Sequence, residues 1–374
     1  MRKMAQPPLF GDNFLMNELI SLIIPTYNER DNITPLLKRL ERALAGYNYE
    51  VVFIDDNSAD GTAEVAASLA DKYPVRVIVR KNKRGLASAV VDGLSHVSGK
   101  IIAVMDADLQ HPPEVLHDLL KEMEKGADIV IASRYVKGGG YPGWSLSRRI
   151  VSRGAIFLSH LLLPTTRQVS DPTTGFFVFK KEAVAGAKLK PLGYKILLEI
   201  LIAGKFNKLA EVPYTFGTRG GGESKLNAGQ QVAYLRHIFS LMKRSGELLR
   251  FSKFALVGAS GVGINMSLLW LLTELGGLFY LTSAAIGIET TIITNFLLNN
   301  YFTFADRSQP GIKSLLKRLL KFNMVSLAGL TINLAILWFL TEVTGIFYLF
   351  ANLVGIAMVT LWNYLANNWW TWKR

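Results

Sequence analysis

Two patterns of hydrophobic and polar positions divide the chain near residue 225. Up to that point, short apolar runs such as ELISLIIP, EVVFID and KIIAVM alternate with amphipathic stretches at helical spacing. The pattern predicts strands at these runs and at 75–80, and helices over 31–45, 62–71 and 85–96. Because strands and helices alternate, we expect a Rossmann-like α/β domain with a mostly parallel sheet and helices on both faces.

The second pattern consists of four long apolar segments, at 254–274, 278–302, 322–341 and 346–369. Each has roughly the 20 residues that a helix needs to cross a bilayer. Helices buried inside a large soluble domain are the alternative, but four such segments in succession are hard to bury in that way. We therefore predict a four-helix transmembrane domain in the second half of the chain.

The membrane half contains an internal repeat. The segment FALVGASGVGINMSLLWLLTELGGLFYL aligns with FNMVSLAGLTINLAILWFLTEVTGIFYL at a constant offset of 68 residues and without a gap. The alignment pairs polar, basic and aromatic residues: Asn265 with Asn333, Trp270 with Trp338, Tyr280 with Tyr348, Asn295 with Asn363, and Arg250 with Arg318. Each repeat is a helical hairpin after a basic lead, and its even number of spans gives both hairpins the same orientation.

The distribution of charge predicts the orientation in the membrane. Basic residues outnumber acidic ones by 42 to 29, which gives a net charge of +13. The link 305–321 is basic, whereas the two hairpin tips carry only Glu274 and Glu342. By the positive-inside rule, we expect the N-terminal domain, the link and both termini in the cytoplasm. Segments 230–250 and 312–322 predict interfacial helices on the inner leaflet, with ordinary helices packed on the α/β domain as the alternative.

These features define the expected domain organisation. It comprises a disordered lead at 1–17, an α/β domain at 18–229, an interfacial helix at 230–250, a first hairpin at 251–304, a basic interfacial link at 305–321 and a second hairpin at 322–374. Nucleic acid is the weaker explanation of the basic charge, because no recognition-helix, zinc-finger or aromatic RNA-binding signature is present. The absence of cysteine excludes disulfides and thiolate metal sites.

Polar side chains follow three of the predicted strands. PTYNE follows the first, Asp55 and Asp56 follow the second, and Asp106 and Asp108 follow IIAV. The carboxyl ends of parallel strands meet at one edge of a sheet, where α/β proteins bind ligands. A GxGxxG fingerprint and a phosphate loop are absent, which disfavours a dinucleotide oxidoreductase or an ATPase. Asp106 and Asp108 are close enough to repel each other unless a positive charge lies between them. They therefore predict a divalent cation that holds a diphosphate, with Gln110 as a further oxygen ligand.

A string of motifs in the first half resembles a known family. IIPTYNE, DDNSADGT, MDADLQHPPE and GESKL resemble the family-2 glycosyltransferases of the GT-A fold. The segment GGGYPGWSLSRRIVSRGA at 138–155, together with DPTTGFFVFKKEA and GYKILLEIL, is similar to the polyprenol-phosphate mannosyltransferases. The resemblance covers roughly residues 18–230, and the membrane half resembles the four-helix GtrA-type module. It implies a GT-A catalytic domain joined to a transmembrane domain of two repeated hairpins.

The resemblance implies a reaction in which GDP-mannose and dolichyl phosphate, or another polyprenyl phosphate, give dolichyl-phosphate mannose and GDP. It assigns nucleotide-sugar binding to Pro25, Tyr27, Glu29, Ile54, Asp56, Asp106, Ala107, Asp108, Gln110, Arg134, Lys195, Arg219 and Lys225. Asp108 and Gln110 are the expected ligands of Mg or Mn, and Asp106, Asp108 and Arg134 are the expected catalytic residues. The segment TRGGGESKLN is expected to close on the donor phosphates, and a flexible basic loop is the alternative.

The acceptor phosphate is expected at a cluster of basic residues. Arg148 and Ser152 lie four positions apart on one helical face, and with Arg134 they would bind the lipid phosphate. Surface arginines that face anionic headgroups are the alternative, which suits Arg149 and Arg153 better. A phosphate monoester is largely dianionic at pH 7, because its second pKa is about 6, so it needs no general base. The resemblance implies one displacement with inversion at the sugar carbon.

Other functions stay open. A polyprenyl-phosphate glucosyltransferase that uses UDP-glucose would suit DLQHPPE and GGESK equally, although GGGYPGW and SRGA favour mannose. A non-catalytic module that carries or flips a glycolipid is a second alternative, and the acidic strand ends disfavour it unless transport is an added role. A processive polysaccharide synthase is disfavoured, because its Gln-x-x-Arg-Trp motif is absent.

Overall fold

The computed structural model describes residues 17–82, 84–190, 192–217 and 228–373. The chain divides into two compact units, Met1–Leu241 and Met242–Arg374. The predicted disordered lead at 1–17 lies outside the described residues except for Asn17. The first unit contains all the described strands and the second is helical, as the hydrophobic pattern predicts.

A seven-stranded sheet forms the centre of the first unit. Its strands are β1 (Ile20–Thr26), β2 (Tyr49–Asp55), β3 (Val75–Val79), β4 (Ile101–Val104), β5 (Ile129–Ser133), β6 (Phe177–Lys180) and β7 (Leu209–Pro213). They lie in the order β3-β2-β1-β4-β6-β5-β7. Among the described strands, only β6 runs antiparallel to its neighbours, so the mostly parallel sheet is confirmed.

Helices connect the strands, as the alternating pattern predicts. They are α1 (Arg30–Ala43), α2 (Thr62–Ser68), α3 (Leu86–Leu94), α4 (Val115–Glu124), α5 (Leu146–Leu162) and α6 (Ile196–Ala203), and α7 (Ala228–Arg244) follows the last strand. The helices predicted at 31–45, 62–71 and 85–96 are confirmed, although each ends two or three residues earlier than expected.

Alternation of side chains along each strand places an apolar core on each face of the sheet. In β1, Leu22 belongs to a cluster with the buried sides of α1 and α4, whereas Ile23 belongs to a cluster with α3 and α6 on the other face. Both side chains are fully buried. Helices therefore cover both faces of the sheet, which confirms the layered α/β architecture.

The strand order determines where a ligand can bind. β2 lies on one side of β1 and β4 lies on the other, so the winding direction reverses at β1. In such sheets a crevice opens at the carboxyl ends of the strands beside this point. Thr26 and Asp55 end β1 and β2, and Asp106 follows β4 by two residues, so all three lie at this crevice.

The second unit consists of two helical hairpins. α8 (Glu247–Trp270) pairs with α9 (Tyr280–Leu298), α10 (Ile312–Trp338) pairs with α11 (Tyr348–Ala366), and each helix continues into a π-helical turn. These helices are long and apolar enough to cross a membrane, with candidate spans Glu247–Leu275, Tyr280–Thr303, Ile312–Val343 and Tyr348–Thr371. α8 and α10 end 68 residues apart, as do α9 and α11, so the structure follows the predicted repeat.

Asparagine packs against glycine at equivalent places in the two hairpins. A Cβ atom on Gly287 would lie 2.7 Å from Oδ1 of Asn265, and a Cβ atom on Gly355 would overlap Oδ1 of Asn333. Glycine at these positions therefore allows the two helices of each hairpin to approach closely.

Two predicted boundaries differ from the structure. The single helix expected at 230–250 is interrupted between α7 and α8, where Gly246 adopts a left-handed φ of +79° that a helix cannot accommodate. The interfacial helix expected at 312–322 is the first part of α10, which continues to Trp338. The sequence has no glycine or proline between 312 and 328, so the helix continues into the apolar segment.

One face of α7 packs within the first unit. The Tyr234 hydroxyl donates to the Ala155 carbonyl oxygen at 2.6 Å, and Nε2 of His237 lies 3.1 Å from Oε1 of Glu199. Apolar side chains such as Phe239 are exposed elsewhere on the helix. Packing on the α/β domain, the alternative considered for this segment, therefore applies to one face, and contact of the other face with a leaflet stays a prediction.

Candidate active site

A cavity of about 430 Å³ opens at the carboxyl ends of the strands in the first unit. Its lining includes six of the predicted site residues: Asp106, Gln110, Arg134, Arg148, Ser152 and Lys195. They come from the loop after β4, the loop after β5, helix α5 and the residue before α6. The fold thus brings an acidic loop and several basic side chains to one cavity.

Asp106 is held by the buried ring of His111. The Asp106 backbone N–H donates to Nδ1 of His111 at 3.0 Å, and the ring stacks on Phe176 with centroids 5.2 Å apart. Burial lowers the pKa of His111 to about 4, so the ring is neutral at pH 7 and Nδ1 can accept this bond. A Cβ atom on Gly175 would lie 3.4 Å from Oδ2 of Asp106, so glycine leaves space beside the carboxylate.

The loop after β4 turns sharply between Asp108 and Gln110. Leu109 adopts a left-handed φ of +62°, and Oδ1 of Asp108 accepts a hydrogen bond from the Gln110 N–H at 3.1 Å. The Gln110 side chain donates through Nε2 to the Gly217 carbonyl oxygen at 3.1 Å, and the Gly217 N–H donates to the Gln110 carbonyl oxygen at 2.8 Å. These bonds join the expected metal-binding turn to the segment that follows β7.

The oxygen atoms of this turn fit a hard divalent cation. Asp106 and Asp108 supply carboxylates and Gln110 supplies an amide oxygen, which are ligand types that Mg²⁺ and Mn²⁺ take. The described parts of the chain contain no group of three or more His, Cys, Asp or Glu side chains that could hold a metal ion by themselves. The donor set therefore suits a cation that is held jointly by protein, water and substrate phosphates.

Arg134 forms a buried ion pair with Asp171. Its Nε donates to Oδ2 of Asp171 at 2.7 Å and its Nη2 donates to Oδ1 at 2.9 Å. Burial disfavours both charged forms, but the attraction between the two groups outweighs it, so the pKa of Arg134 is raised and the pKa of Asp171 is lowered. Nη1 of Arg134 makes no hydrogen bond within the described residues, which leaves it for a ligand in the cavity.

Arg148 and Ser152 lie one turn apart on α5 and both line the cavity. The guanidinium of Arg148 lies 4.3 Å from the centre of the Trp144 ring, and that of Arg134 lies 5.2 Å from it. The Tyr135 hydroxyl donates to the Ser152 hydroxyl at 2.8 Å. Trp144 therefore holds two guanidinium groups beside the cavity through cation–π contacts.

Lys195 adds a third cation at the start of α6. Its Nζ donates to the Thr173 carbonyl oxygen at 2.6 Å, which directs the amine toward the cavity that both residues line. Burial, with repulsion from Arg134, lowers the pKa of Lys195 to about 8, so most of the amine remains charged at pH 7. Three basic side chains thus border one space.

The residues predicted to bind the nucleoside do not line this cavity. Pro25 and Ile54 are paired between β1 and β2, and the Ile54 side chain is fully buried, so only its backbone could contact a ligand. Asp56 accepts hydrogen bonds at Oδ1 from the guanidinium of Arg80 and at Oδ2 from the Gly85 N–H, the latter at 2.7 Å. Asp56 therefore has a structural role that the sequence did not predict.

Five further residues were predicted to bind the nucleotide sugar. Tyr27 and Glu29 are half-buried after β1, and Ala107 is buried between the two acidic residues of its motif. Arg219 and Lys225 lie outside the described residues. Participation of these five residues in nucleotide binding stays a prediction.

The sequence did not identify several residues that shape the cavity. They are His111, Trp144, Asp171, Thr173 and Phe216. Trp144 and Asp171 lie in GGGYPGW and DPTTGFF, motifs that carried the family resemblance without a residue role. Asp171 is 37 residues from Arg134, and no spacing rule connects positions that far apart.

Comparison with known proteins agrees with the division of the chain into an α/β domain and a transmembrane domain. Residues 21–186 match glycosyl transferase family 2, and residues 253–372 match the GtrA/DPMS transmembrane domain. A dolichol-phosphate mannosyltransferase from Pyrococcus furiosus is 47% identical over 353 residues, which are 94% of this chain and 99% of that protein. A dolichol-phosphate mannosyltransferase from Mycosarcoma maydis is 38% identical over 65% of this chain and 85% of its own length.

One solved structure resembles this chain more distantly than these two relatives do. It is glucosyl-3-phosphoglycerate synthase from Mycobacterium tuberculosis, in complex with Mn²⁺, UDP-glucose and phosphoglyceric acid. It has a TM-score of 0.49 and 21% identity, over 64% of this chain and 86% of its own chain.

The fold and the site thus define a membrane-embedded glycosyltransferase of family 2, with a GT-A-like α/β domain and a GtrA-type transmembrane domain. Within that class, the chain belongs to the dolichol-phosphate mannosyltransferase family, because it matches a member at 47% identity over almost the whole length of both proteins. The predicted fold class and the predicted transferase class are both confirmed.

Proposed function

We propose that the protein transfers mannose from GDP-mannose to dolichyl phosphate, or to a related polyprenyl phosphate, and so produces dolichyl-phosphate mannose and GDP. The observation that carries the proposal is the relative from Pyrococcus furiosus, a named dolichol-phosphate mannosyltransferase that extends over 94% of this chain. The cavity supports it, because an acidic loop and three basic side chains border one space. Such a cavity suits a sugar donor and an acceptor that both carry phosphate.

The acceptor phosphate is assigned to Arg134, Arg148 and Ser152. Guanidinium groups bind phosphate oxygens in pairs, and the cation–π contacts with Trp144 hold both of them beside the cavity before a substrate arrives. A lipid phosphate is largely dianionic at pH 7, because its second pKa is about 6. No residue is therefore assigned as a general base.

The donor diphosphate is assigned to the acidic loop and to nearby cations. Asp108 and Gln110 would hold Mg²⁺ or Mn²⁺, which would neutralise charge on the diphosphate. Lys195, with Arg219 and Lys225, would stabilise the diphosphate as it leaves. The nucleoside is assigned to the strand ends, with the residues Pro25, Tyr27, Glu29, Ile54, Asp56 and Ala107.

The reaction is a single displacement. One oxygen of the lipid phosphate forms a bond to the anomeric carbon of mannose, while the bond from that carbon to the diphosphate breaks and GDP leaves with the bonding electrons. Attack from the side opposite the leaving group inverts the configuration. Asp106, which lines the cavity, would orient the sugar for this step.

The proposed orientation follows the distribution of charge. The link at 305–321 is basic, whereas the hairpin tips carry only Glu274 and Glu342. By the positive-inside rule, the catalytic domain and both termini lie in the cytoplasm. Accessibility of single cysteines introduced at a hairpin tip and in the link would test this orientation, and the absence of natural cysteine makes the labelling specific.

The test of the reaction is transfer of radiolabelled sugar to dolichyl phosphate by the purified full-length chain in detergent. GDP-mannose and UDP-glucose are compared as donors, each with Mg²⁺, Mn²⁺ or EDTA. We expect metal-dependent labelling of the lipid from GDP-mannose only. Asp108→Ala should abolish it, whereas Asp118→Ala, a change at an exposed carboxylate on α4, should not.

Each contrary outcome has a distinct meaning. Labelling from UDP-glucose alone would make the protein a glucosyltransferase. No labelling from either donor, in folded protein that binds GDP, would overturn the proposed transfer and favour a glycolipid carrier. Equal activity in EDTA, after removal of bound metal, would overturn the assignment of a cation to Asp108 and Gln110.

A further inference from the structure

Arg250 and Arg318 occupy equivalent positions in the two hairpins but have different electrostatic environments. Arg250 pairs with Asp306 through a 2.7 Å contact, and its Nε lies 3.5 Å from Oε2 of Glu247. With the repeat offset of 68 residues, the positions that correspond to Glu247 and Asp306 are Leu315 and Arg374. The second repeat therefore shares the arginine but has neither acidic residue at the equivalent positions.

Arg318 is buried without a carboxylate partner in the described part of the chain. It is 7% exposed, and its guanidinium donates to three neutral acceptors: Oδ1 of Asn300 at 3.1 Å, Oγ of Ser314 at 2.7 Å and the Gln309 carbonyl oxygen at 2.9 Å. A buried charge is costly unless an opposite charge accompanies it. No carboxylate in the described part of the chain balances the charge of Arg318, so an anion beside it would be stabilised.

A groove is present where that anion would bind. It has a volume of about 450 Å³ and is lined by Arg318, by Leu315 and by the first residues of α10. Leu315, which replaces the glutamate of the first repeat, provides no charge to neutralise Arg318. Space and uncompensated positive charge therefore occur together within the second unit.

The N-terminus of α10 adds to the positive potential of this groove. Gly311, which precedes the helix with a φ of +101°, provides no side-chain cap, and the first turn contains no acidic residue. The unpaired N–H groups of a first turn favour an anion. Lys313 also lies in this first turn, where the partial positive charge of the helix N-terminus disfavours a cation. An anion bound at the same place would offset that repulsion.

We propose that this groove binds the phosphate group of an anionic lipid. Arginine binds phosphate oxygens through paired hydrogen bonds, and free N–H groups of the helix would supply more. Apolar surface from Tyr301, Ile312 and Leu315 lines the same groove, which favours a lipid over inorganic phosphate. The groove also lies at the start of the candidate span Ile312–Val343, where a bilayer headgroup would be near. The site is separate from the proposed catalytic reaction.

The test uses the full-length chain, delipidated in detergent, and native mass spectrometry with added lipid. Phosphatidylglycerol, phosphatidylcholine and inorganic phosphate are titrated separately against wild type, Arg318→Gln and Lys317→Gln. We expect Arg318→Gln to retain phosphatidylglycerol at least tenfold more weakly than wild type does. Lys317→Gln, at an exposed lysine of the same helix, should change it by less than about twofold, because surface charges contribute little.

Leu315→Glu provides a second variant that does not remove the arginine. It restores the acidic residue of the first repeat, so the new carboxylate should pair with Arg318 and occupy the groove. We expect it to abolish retention of phosphatidylglycerol in protein that remains folded, as judged by a cooperative melting transition. This variant keeps the test decisive if Arg318→Gln fails to fold.

Three outcomes would overturn the proposal. They are equal retention of phosphatidylglycerol by wild type and both groove variants, equal retention of phosphatidylcholine and phosphatidylglycerol by wild type, and binding of inorganic phosphate without binding of either lipid.

Discussion

The guanidinium of Arg134 and the carboxylate of Asp171 lie side by side, joined by hydrogen bonds of 2.7 and 2.9 Å. Asp171 also accepts a bond from the Arg134 backbone N–H at 3.3 Å. One carboxylate therefore determines both the backbone and the side-chain position of an arginine that lines the cavity. This relationship makes Asp171 a positioning residue for the proposed acceptor site.

Asp171→Asn should lower both stability and activity. The change leaves Arg134 buried without its opposite charge, which typically costs about 3–5 kcal/mol. The measurements are the melting temperature of the full-length chain in detergent and the KM for dolichyl phosphate, with Asp118→Asn, a change at an exposed side chain of α4, as the control. A folded Asp171→Asn variant with an unchanged KM would contradict the positioning role.

The same ion pair should make stability depend on pH in the acidic range. Arg134 holds the pKa of Asp171 below its usual value of about 4. The stabilisation is therefore complete above about pH 4 and is lost as the pH falls through the lowered pKa. Melting temperatures measured on lowering the pH should decline less steeply in Asp171→Asn than in wild type, and parallel curves would contradict this coupling.

Lys195 should produce an alkaline limb in the pH–rate profile. Its pKa is lowered to about 8, chiefly by burial, so its positive charge is lost as the pH rises through that value. We expect kcat/KM to fall above about pH 8 in wild type. Lys195→Arg should remain charged and shift this limb to higher pH, and Lys195→Gln should be weakly active throughout. The same limb in wild type and Lys195→Arg would show that another group causes it.

Gly287→Ala should destabilise the first hairpin. The added Cβ atom would lie 2.7 Å from Oδ1 of Asn265, so either the Asn265 side chain or the helix must shift, at a typical cost of about 1–3 kcal/mol. Gly263→Ala is the matched control, because nothing lies within 4 Å of its Cβ position. It should leave the melting temperature unchanged or slightly raised, since alanine favours helix by up to about 1 kcal/mol. Equal melting temperatures for both variants would contradict the close Asn–Gly contact.

Asp56→Ala tests whether this carboxylate binds nucleotide or only supports the fold. Asp56 and Asp92 both accept hydrogen bonds from Arg80, so Asp92→Ala is a matched control that removes the other partner. We expect both variants to lose stability, and Asp56→Ala alone to weaken GDP binding, by at least tenfold in calorimetry. Equal GDP affinity in the two folded variants would remove Asp56 from the nucleotide site.

The sequence by itself determined most of the secondary structure and the place of the candidate site. Apolar residues at every second position indicate a strand, and apolar residues at every third or fourth position indicate a helix, because each spacing places the buried side chains on one face. Asp106 and Asp108 were assigned to a site because residues after parallel strands must lie at one edge of the sheet. The offset of 68 residues predicted the two hairpins, because equal patterns of apolar residues form equal helices. These inferences depend on local pattern and on chain order alone.

Only the tertiary structure decided which charges are paired. Asp171 pairs with Arg134 and Asp56 with Arg80, although these residues are 37 and 24 positions apart. That Arg318 is buried beside neutral acceptors, with no carboxylate among the described residues, is likewise known only from the structure. Pairing of charges depends on distances of a few ångströms between segments that are remote in the chain, and hydrophobic periodicity carries no information about such distances. For that reason the sequence identified the charged residues that line the cavity but not Asp171, which holds one of them in place, and the fold determined which atoms remain for a ligand.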